Sequence, residues 1–174
     1  MKPTIAVDSV RVAIPRITAH WDNEGSTLSC EIDYGVEASE ATLSASLDRA
    51  FNIVQRDYIL TGGTFSMALD PQKRLKDWDI FTNPAQWIEC AFPFIEATSG
   101  TPHLDAAFDE NRRAESMGAP RIFYEPHRGT VYLAWDEAGA WHAVGPTLAL
   151  GVTSDQHLAQ IRLDGVFISK KSDA

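Results

Sequence analysis

Two stretches of the chain share one pattern of hydrophobic and polar positions. Residues 64–80 and 147–163 align without a gap, and each has an alternating run, a polar turn and a second alternating run. A period of two places such apolar residues on one face of a strand. Each stretch is therefore predicted to form a hairpin with one buried face. The aligned apolar pairs are Phe65 with Leu148, Met67 with Leu150, Leu69 with Val152, Leu75 with Leu158, Trp78 with Ile161 and Ile80 with Leu163.

A second pair of matching stretches precedes the hairpins. Residues 21–32 align with residues 124–135, and both begin with an aromatic residue, pass through a turn and enter an alternating strand at a Thr. Few residues are identical, so chance similarity between amphipathic hairpins is the alternative to duplication. Four predicted strands in the same order favour an internal duplication, with repeat units at about 10–82 and 120–169.

Helical signals lie inside the first unit and between the units. Apolar spacing over 39–56 predicts an amphipathic helix, although residues 41–47 also alternate as in a strand, which leaves 39–47 open. Asn83-Pro84 and Thr101-Pro102 have the cap and proline that begin helices, and the second helix is predicted to reach Met117.

These elements predict the fold class. We expect one compact α+β domain over residues 1–174, with two tandem antiparallel β units related by duplication and two to three helices. A helical segment, 83–119, is predicted to join the units. A calycin-like antiparallel barrel is the alternative.

The second unit resembles a short uncharacterised bacterial β-domain, domain-of-unknown-function family 2283. The resemblance is carried by residues 124–133, YEPHRGTVYL, and residues 151–163, GVTSDQHLAQIRL, and extends faintly to the first unit as a second, divergent copy. Gln156 and His157 stand where the family has a glycine turn. The family brings no established catalytic residues, and its members sometimes neighbour toxin genes, which implies an antitoxin or inhibitor role.

Composition and charge narrow the function classes. The formal net charge is −9, which excludes a direct nucleic-acid surface because phosphate binding needs clustered Lys and Arg. No apolar run is long enough to span a membrane, and the N-terminal stretch lacks the apolar core of a signal peptide. A cytoplasmic location is therefore predicted, with Cys30 and Cys90 reduced.

One acidic segment suggests a partner. Seven acidic residues and no Lys or Arg lie between Ile17 and Asp48. We predict an anionic surface that binds a basic protein, such as one that itself handles nucleic acid. A solvated face is the plainer interpretation. The predicted partner-binding residues are Glu24, Glu31, Asp33, Glu37 and Glu40.

Candidate chemistry is sparse. No HExxH, GxSxG or clustered Cys/His spacing occurs, so no catalytic residue, cofactor or metal is predicted. Asp77 and Asp79 share one strand face and are interpreted as solvated. An acidic binding protein of antitoxin, immunity or phage-inhibitor type is favoured over an enzyme. The alternative is a small-molecule-binding protein or enzyme with an aromatic-lined cleft between the two β units, and the oligomeric state stays open.

Overall fold

The computed structural model describes residues 2–8, 14–35, 47, 50–51, 56–115 and 117–169. In this part of the chain nearly every regular element is a β-strand. In chain order the strands are β1 (Thr4–Asp8), β2 (Arg16–Asp22), β3 (Thr27–Asp33), β4 (Tyr58–Gly62), β5 (Phe65–Leu69), β6 (Leu75–Phe81), β7 (Ile88–Glu89), β8 (Thr98–Ser99), β9 (Thr101–Asp105), β10 (Arg113–Glu115), β11 (Arg121–Glu125), β12 (Thr130–Ala134), β13 (Ala140–Ala143), β14 (Leu148–Val152) and β15 (Leu158–Leu163).

The strands form three open sheets. The first has the order β10-β4-β5-β6-β3-β2, and the second has the order β7-β11-β12-β15-β14-β13-β8. A small third sheet consists of β1 and β9. Because nearly every described element is a strand, the predicted α+β class with two to three helices is wrong. None of the three sheets closes on itself, so the alternative calycin-like barrel is wrong as well.

Five strands have the same order in the two large sheets. The series β2-β3-β6-β5-β4 corresponds to β11-β12-β15-β14-β13. A parallel edge strand follows each series at the same end, β10 beside β4 and β8 beside β13. The two sheets are therefore topologically equivalent.

The register is equivalent as well, which confirms the two predicted hairpins. Phe65 lies opposite Ile80, and at the matching place Leu148 lies opposite Leu163. Both hairpins also have a register shift at the same point, just before Leu69 in one and just before Val152 in the other. The upstream strands agree too, because Trp21 pairs with Leu28 as Tyr124 pairs with Val131.

The inner faces of the two sheets share one core. Met67, Leu150 and Ile161 are completely buried in it. The rings of Phe65 and Trp135 meet edge to face across it, with centroids 5.0 Å apart. Period-two burial, the signal read from the sequence, thus correctly predicts which side of each hairpin is apolar.

The predicted helix from Pro102 to Met117 does not form. Residues of this stretch form β9 and β10, and Pro102 and Leu104 alternate in burial with exposed or half-buried neighbours. Between the two strands the Asp109 carboxylate accepts hydrogen bonds from the backbone N–H groups of Asn111 and Arg113. An Asp that binds its own backbone in this way competes with helix formation.

The predicted helix at Asn83-Pro84 ends after one 3-10 turn, Pro84–Gln86. The cap itself is confirmed, since the Asn83 side chain accepts a hydrogen bond from the Ala85 N–H. The chain then turns extended because Trp87 inserts between the rings of Trp21 and Tyr124, edge to face with both. The predicted helical connector, 83–119, instead carries strands β7 to β10.

Most of the first predicted helix, 39–56, lies outside the described residues, and so does the choice between helix and strand for 39–47. Only residues 47, 50, 51 and 56 are described there, and the Phe51 N–H donates to the Leu47 carbonyl. Among the described residues, no helix has the length and apolarity needed to cross a membrane.

Candidate partner-binding face

Strand β3 separates apolar from acidic side chains. Leu28, Cys30 and Ile32 point into the core and are at most 5% exposed. Glu31 and Asp33 lie on the opposite side and are exposed. This confirms the predicted outward orientation of both acids, which follows from strand alternation. We call this side of the first sheet, away from the shared core, the outer face.

The neighbouring strand adds two more acids to the outer face. Asp77 on β6 lies directly opposite Glu31 on β3, and Asp79 lies opposite Ser29. Side chains that face each other in this way have Cβ atoms about 5 Å apart. We call Glu31, Asp33, Asp77 and Asp79 the anionic face.

Two carboxyl groups of the anionic face, those of Asp77 and Asp79, have raised pKa values. Partial burial raises the pKa of Asp77, and the nearby carboxylates of Asp57, Asp79 and Glu31 raise it further, against the opposing effect of Lys76. Burial also raises the pKa of Asp79. The folded protein thus holds these acids at an electrostatic cost, and such a cost is a recognised mark of functional surfaces.

Few cations offset this charge. Lys76 is paired with Asp57, its Nζ 2.6 Å from Oδ2. Arg16 lies across from Asp33 in the register of β2 and β3. In the part of the chain that the structure describes, Glu31, Asp77 and Asp79 form no salt bridge. Among the described residues, the centre of the outer face therefore has carboxylates without a salt-bridge partner.

The other predicted site residues lie elsewhere. Glu24 is exposed in the turn between β2 and β3, where its N–H donates to the Asp22 carboxylate. It stands beyond the end of the sheet, since even Thr27, the first residue of β3, is four residues or roughly 13 Å along the strand from Glu31. Glu37 and Glu40 lie outside the described residues.

Sequence reasoning missed the contribution of Asp77 and Asp79. Their alternation with Trp78 and Ile80 shows that they point away from the core, but not which strand lies beside them. The pairing of β3 with β6 brings Glu31 and Asp77 together from distant parts of the chain. The repeat itself was the available signal, because equivalent strands in two units must pair in equivalent ways.

The aromatic residues between the sheets are mostly packed against one another. Trp87 contacts both Trp21 and Tyr124, with ring centroids 5.6 and 5.4 Å apart. An open groove of about 370 Å³ remains at the side of the molecule, between β2 and the segment after β15. The residues lining it are Ala19, His20, Trp21, Asn23, Gly165, Val166, Phe167 and Ser169.

A second open groove, of about 530 Å³, crosses the solvent side of the second sheet. Phe92 stacks on Tyr132 beside it, with ring centroids 3.8 Å apart. Arg121 and Gln160 give this groove polar groups. In the described residues, no cluster of three or more His, Cys, Asp or Glu side chains could hold a metal ion.

No protein-family model matches the chain, and no curated protein matches it. The resemblance of the second unit to family 2283 therefore stays a prediction. The geometry of the described residues is what supports a function.

Proposed function

We propose that the protein binds a basic protein partner through the anionic face and acts by covering the partner's functional surface. The observation that carries this proposal is the grouping of Glu31, Asp77 and Asp79 on two adjacent strands, where none of them forms a salt bridge with another described residue. A lysine or arginine of a partner protein would form salt bridges with these carboxylates. The predicted cytoplasmic location belongs to the same proposal.

Electrostatic attraction accounts for both speed and specificity in this scheme. The net charge of −9 attracts a cationic protein over a distance, and the anionic face orients it at close range. Steering of this kind raises association rate constants from about 10⁵–10⁶ to as much as about 10⁸ M⁻¹ s⁻¹ at low salt, and the gain falls as salt rises. Ion pairs at the exposed edge of the interface would alone contribute little affinity, since exposed ion pairs are worth about 0.2–1 kcal/mol each.

Binding should be linked to protonation. The pKa values of Asp77 and Asp79 are raised in the free protein, and a nearby cation lowers the pKa of a carboxyl group. Partner binding therefore releases protons from these groups. Affinity should rise as the pH increases through their titration range.

Charge reversal tests the proposal. A basic protein recovered by affinity pull-down from the native host would be mixed with the Glu31→Lys/Asp33→Lys variant in a stopped-flow instrument. Glu137→Lys/Asp155→Lys is the matched control, because it makes the same change in net charge at exposed positions of the second unit.

We expect the association rate constant to fall at least tenfold for the variant on β3 and no more than about threefold for the control, with a weaker salt dependence only for the former. Equal rates for the two variants would show that only net charge matters. The anionic face would then not be the binding site.

A further inference from the structure

In the part of the chain that the structure describes, the first sheet has six strands and the second has seven. On the outer side of β11 lies β7, which pairs with it in parallel. Strand β2 holds the position equivalent to β11, at the edge of the first sheet. Among the described residues, no strand pairs with the outer side of β2. Among these residues, the position beside β2 that is equivalent to that of β7 holds no strand, and we call it the vacant strand position.

The backbone of β2 is oriented to accept a strand there. The Tyr124 carbonyl accepts a hydrogen bond from the Cys90 N–H, at 3.1 Å, so the backbone polar groups of Tyr124 face away from β12. Trp21 has the equivalent register. Its N–H and C=O should therefore face outward, and those of Ala19, two residues earlier, should do the same.

Space is present at this point. The groove of about 370 Å³ runs along Ala19, His20 and Trp21 and is bounded on the other side by the segment containing Phe167. Ala19 and His20 are exposed, and Phe167 is 68% exposed. An added strand would thus have an apolar wall as well as backbone partners.

The edge has few of the features that usually protect edge strands, because its charged residues, Arg16 and Asp22, stand only at its two ends. Such strands commonly contain Pro, a bulge or Lys. The seven residues of β2, RITAHWD, include neither Pro nor Lys, and their register with β3 is continuous. An unprotected edge of this length is suited to pairing with another chain.

We propose that the outer edge of β2 binds an extended segment of a basic partner, which adds to the first sheet as a strand parallel to β2. The basic character of the segment rests on the proposed function, whereas the vacant strand position does not. In the added strand, alternate side chains would face Trp21 and Phe167 and should be apolar. The others would lie on the outer face and should be Lys or Arg, since the anionic face begins one strand farther, on β3.

The equivalence of β2 and β11 also predicts which backbone N–H groups of the added strand donate hydrogen bonds to β2. In the segment of β7, Cys90 donates to β11, and its side chain lines the groove on the solvent side of the second sheet together with Phe123. By analogy, the residues whose side chains lie on the outer face donate to β2. These are the lysines of an alternating Lys-Val strand.

Peptide binding tests the inference. The probe is a fluorescein-labelled ten-residue peptide of alternating Lys and Val, measured by fluorescence anisotropy. We expect N-methylation of the lysine nitrogens to weaken binding at least tenfold and N-methylation of the valine nitrogens to change it less than threefold. Ala19→Pro should weaken binding of the unmodified peptide to a similar extent, because an outward N–H is lost while the hydrogen bonds to β3 remain.

The outcomes separate this inference from the proposed function. If both methylated peptides bind as tightly as the unmodified peptide, strand addition is overturned. In that case, weaker binding to the Glu31→Gln/Asp79→Asn variant would still support the anionic face. If N-methylation of the lysine nitrogens weakens binding but the Glu31→Gln/Asp79→Asn variant binds the peptide as the wild type does, strand addition is supported and the anionic face is contradicted. If sedimentation shows that the protein alone is a dimer that Ala19→Pro dissociates, the edge binds a second copy and the inference is wrong.

Discussion

Truncation of Leu150 to Ala should strongly destabilise the protein. Leu150 is completely buried and lies between Ile161 and His142 in the second sheet. Removing a buried leucine side chain costs about 2–5 kcal/mol, from lost burial and from the cavity that remains. For a chain of this size, each 1 kcal/mol lowers the melting temperature by about 2–4 °C. A loss near 3 kcal/mol would thus lower it by about 6–12 °C.

Urea denaturation followed by circular dichroism measures this loss. Met67 occupies the equivalent position in the first sheet and is also completely buried, so Met67→Ala should cost about 2–5 kcal/mol as well. Phe94→Ala is the control, since this side chain is 87% exposed and its truncation should change stability by less than about 0.5 kcal/mol. Losses below about 0.5 kcal/mol for both Leu150→Ala and Met67→Ala would show that these side chains do not lie in the core.

Two further predictions concern ionisable groups. Burial lowers the pKa of His142, whose ring nitrogens have no hydrogen-bond partner among the described residues. The folded state therefore binds this proton less readily than the unfolded state and loses stability as the pH falls below about 6.5. The His142→Leu variant, which has leucine as Leu60 does at the equivalent position of the first sheet, should raise the free energy of unfolding by about 1 kcal/mol. Urea denaturation should also show that it loses less stability than the wild type between pH 7.5 and 5, and an unchanged pH dependence would contradict this. Burial raises the pKa of the Cys30 thiol to about 12, so Cys30 should resist iodoacetamide at pH 8 while the half-buried Cys90 reacts. Peptide mass spectrometry measures both reactions, and alkylation of Cys30 at the rate of Cys90 would show that Cys30 is not buried.

The strands of the repeat could be predicted because their signals are local. Alternation over 64–80 and 147–163 is visible within each hairpin, and the alignment fixes the register between them. The helices could not be excluded in this way. Asn83-Pro84 is a correct local cap, but the burial of Trp87 between two rings of distant strands ends the helix after one turn. Tertiary packing overrides such local preference.

The candidate site was predicted in part for the same reason. Alternation along β3 is enough to place Glu31 and Asp33 on the outer face. The contribution of Asp77 depends on its pairing with Glu31, which no pattern within either strand records. The vacant position beside β2 needs a comparison of both sheets in three dimensions, since the chain has no motif for a missing strand.

Carboxyl ¹³C NMR titration of Asp77 and Asp79, with and without the bound basic partner, tests the central claim most directly. In the free protein both pKa values should lie above that of an ordinary aspartate, because both groups are partly buried and because acids surround Asp77. Saturation with the partner should lower both pKa values, because a nearby cation favours the charged carboxylate. Unchanged titration of Asp77 and Asp79 in the saturated complex would contradict the claim that the anionic face binds the partner.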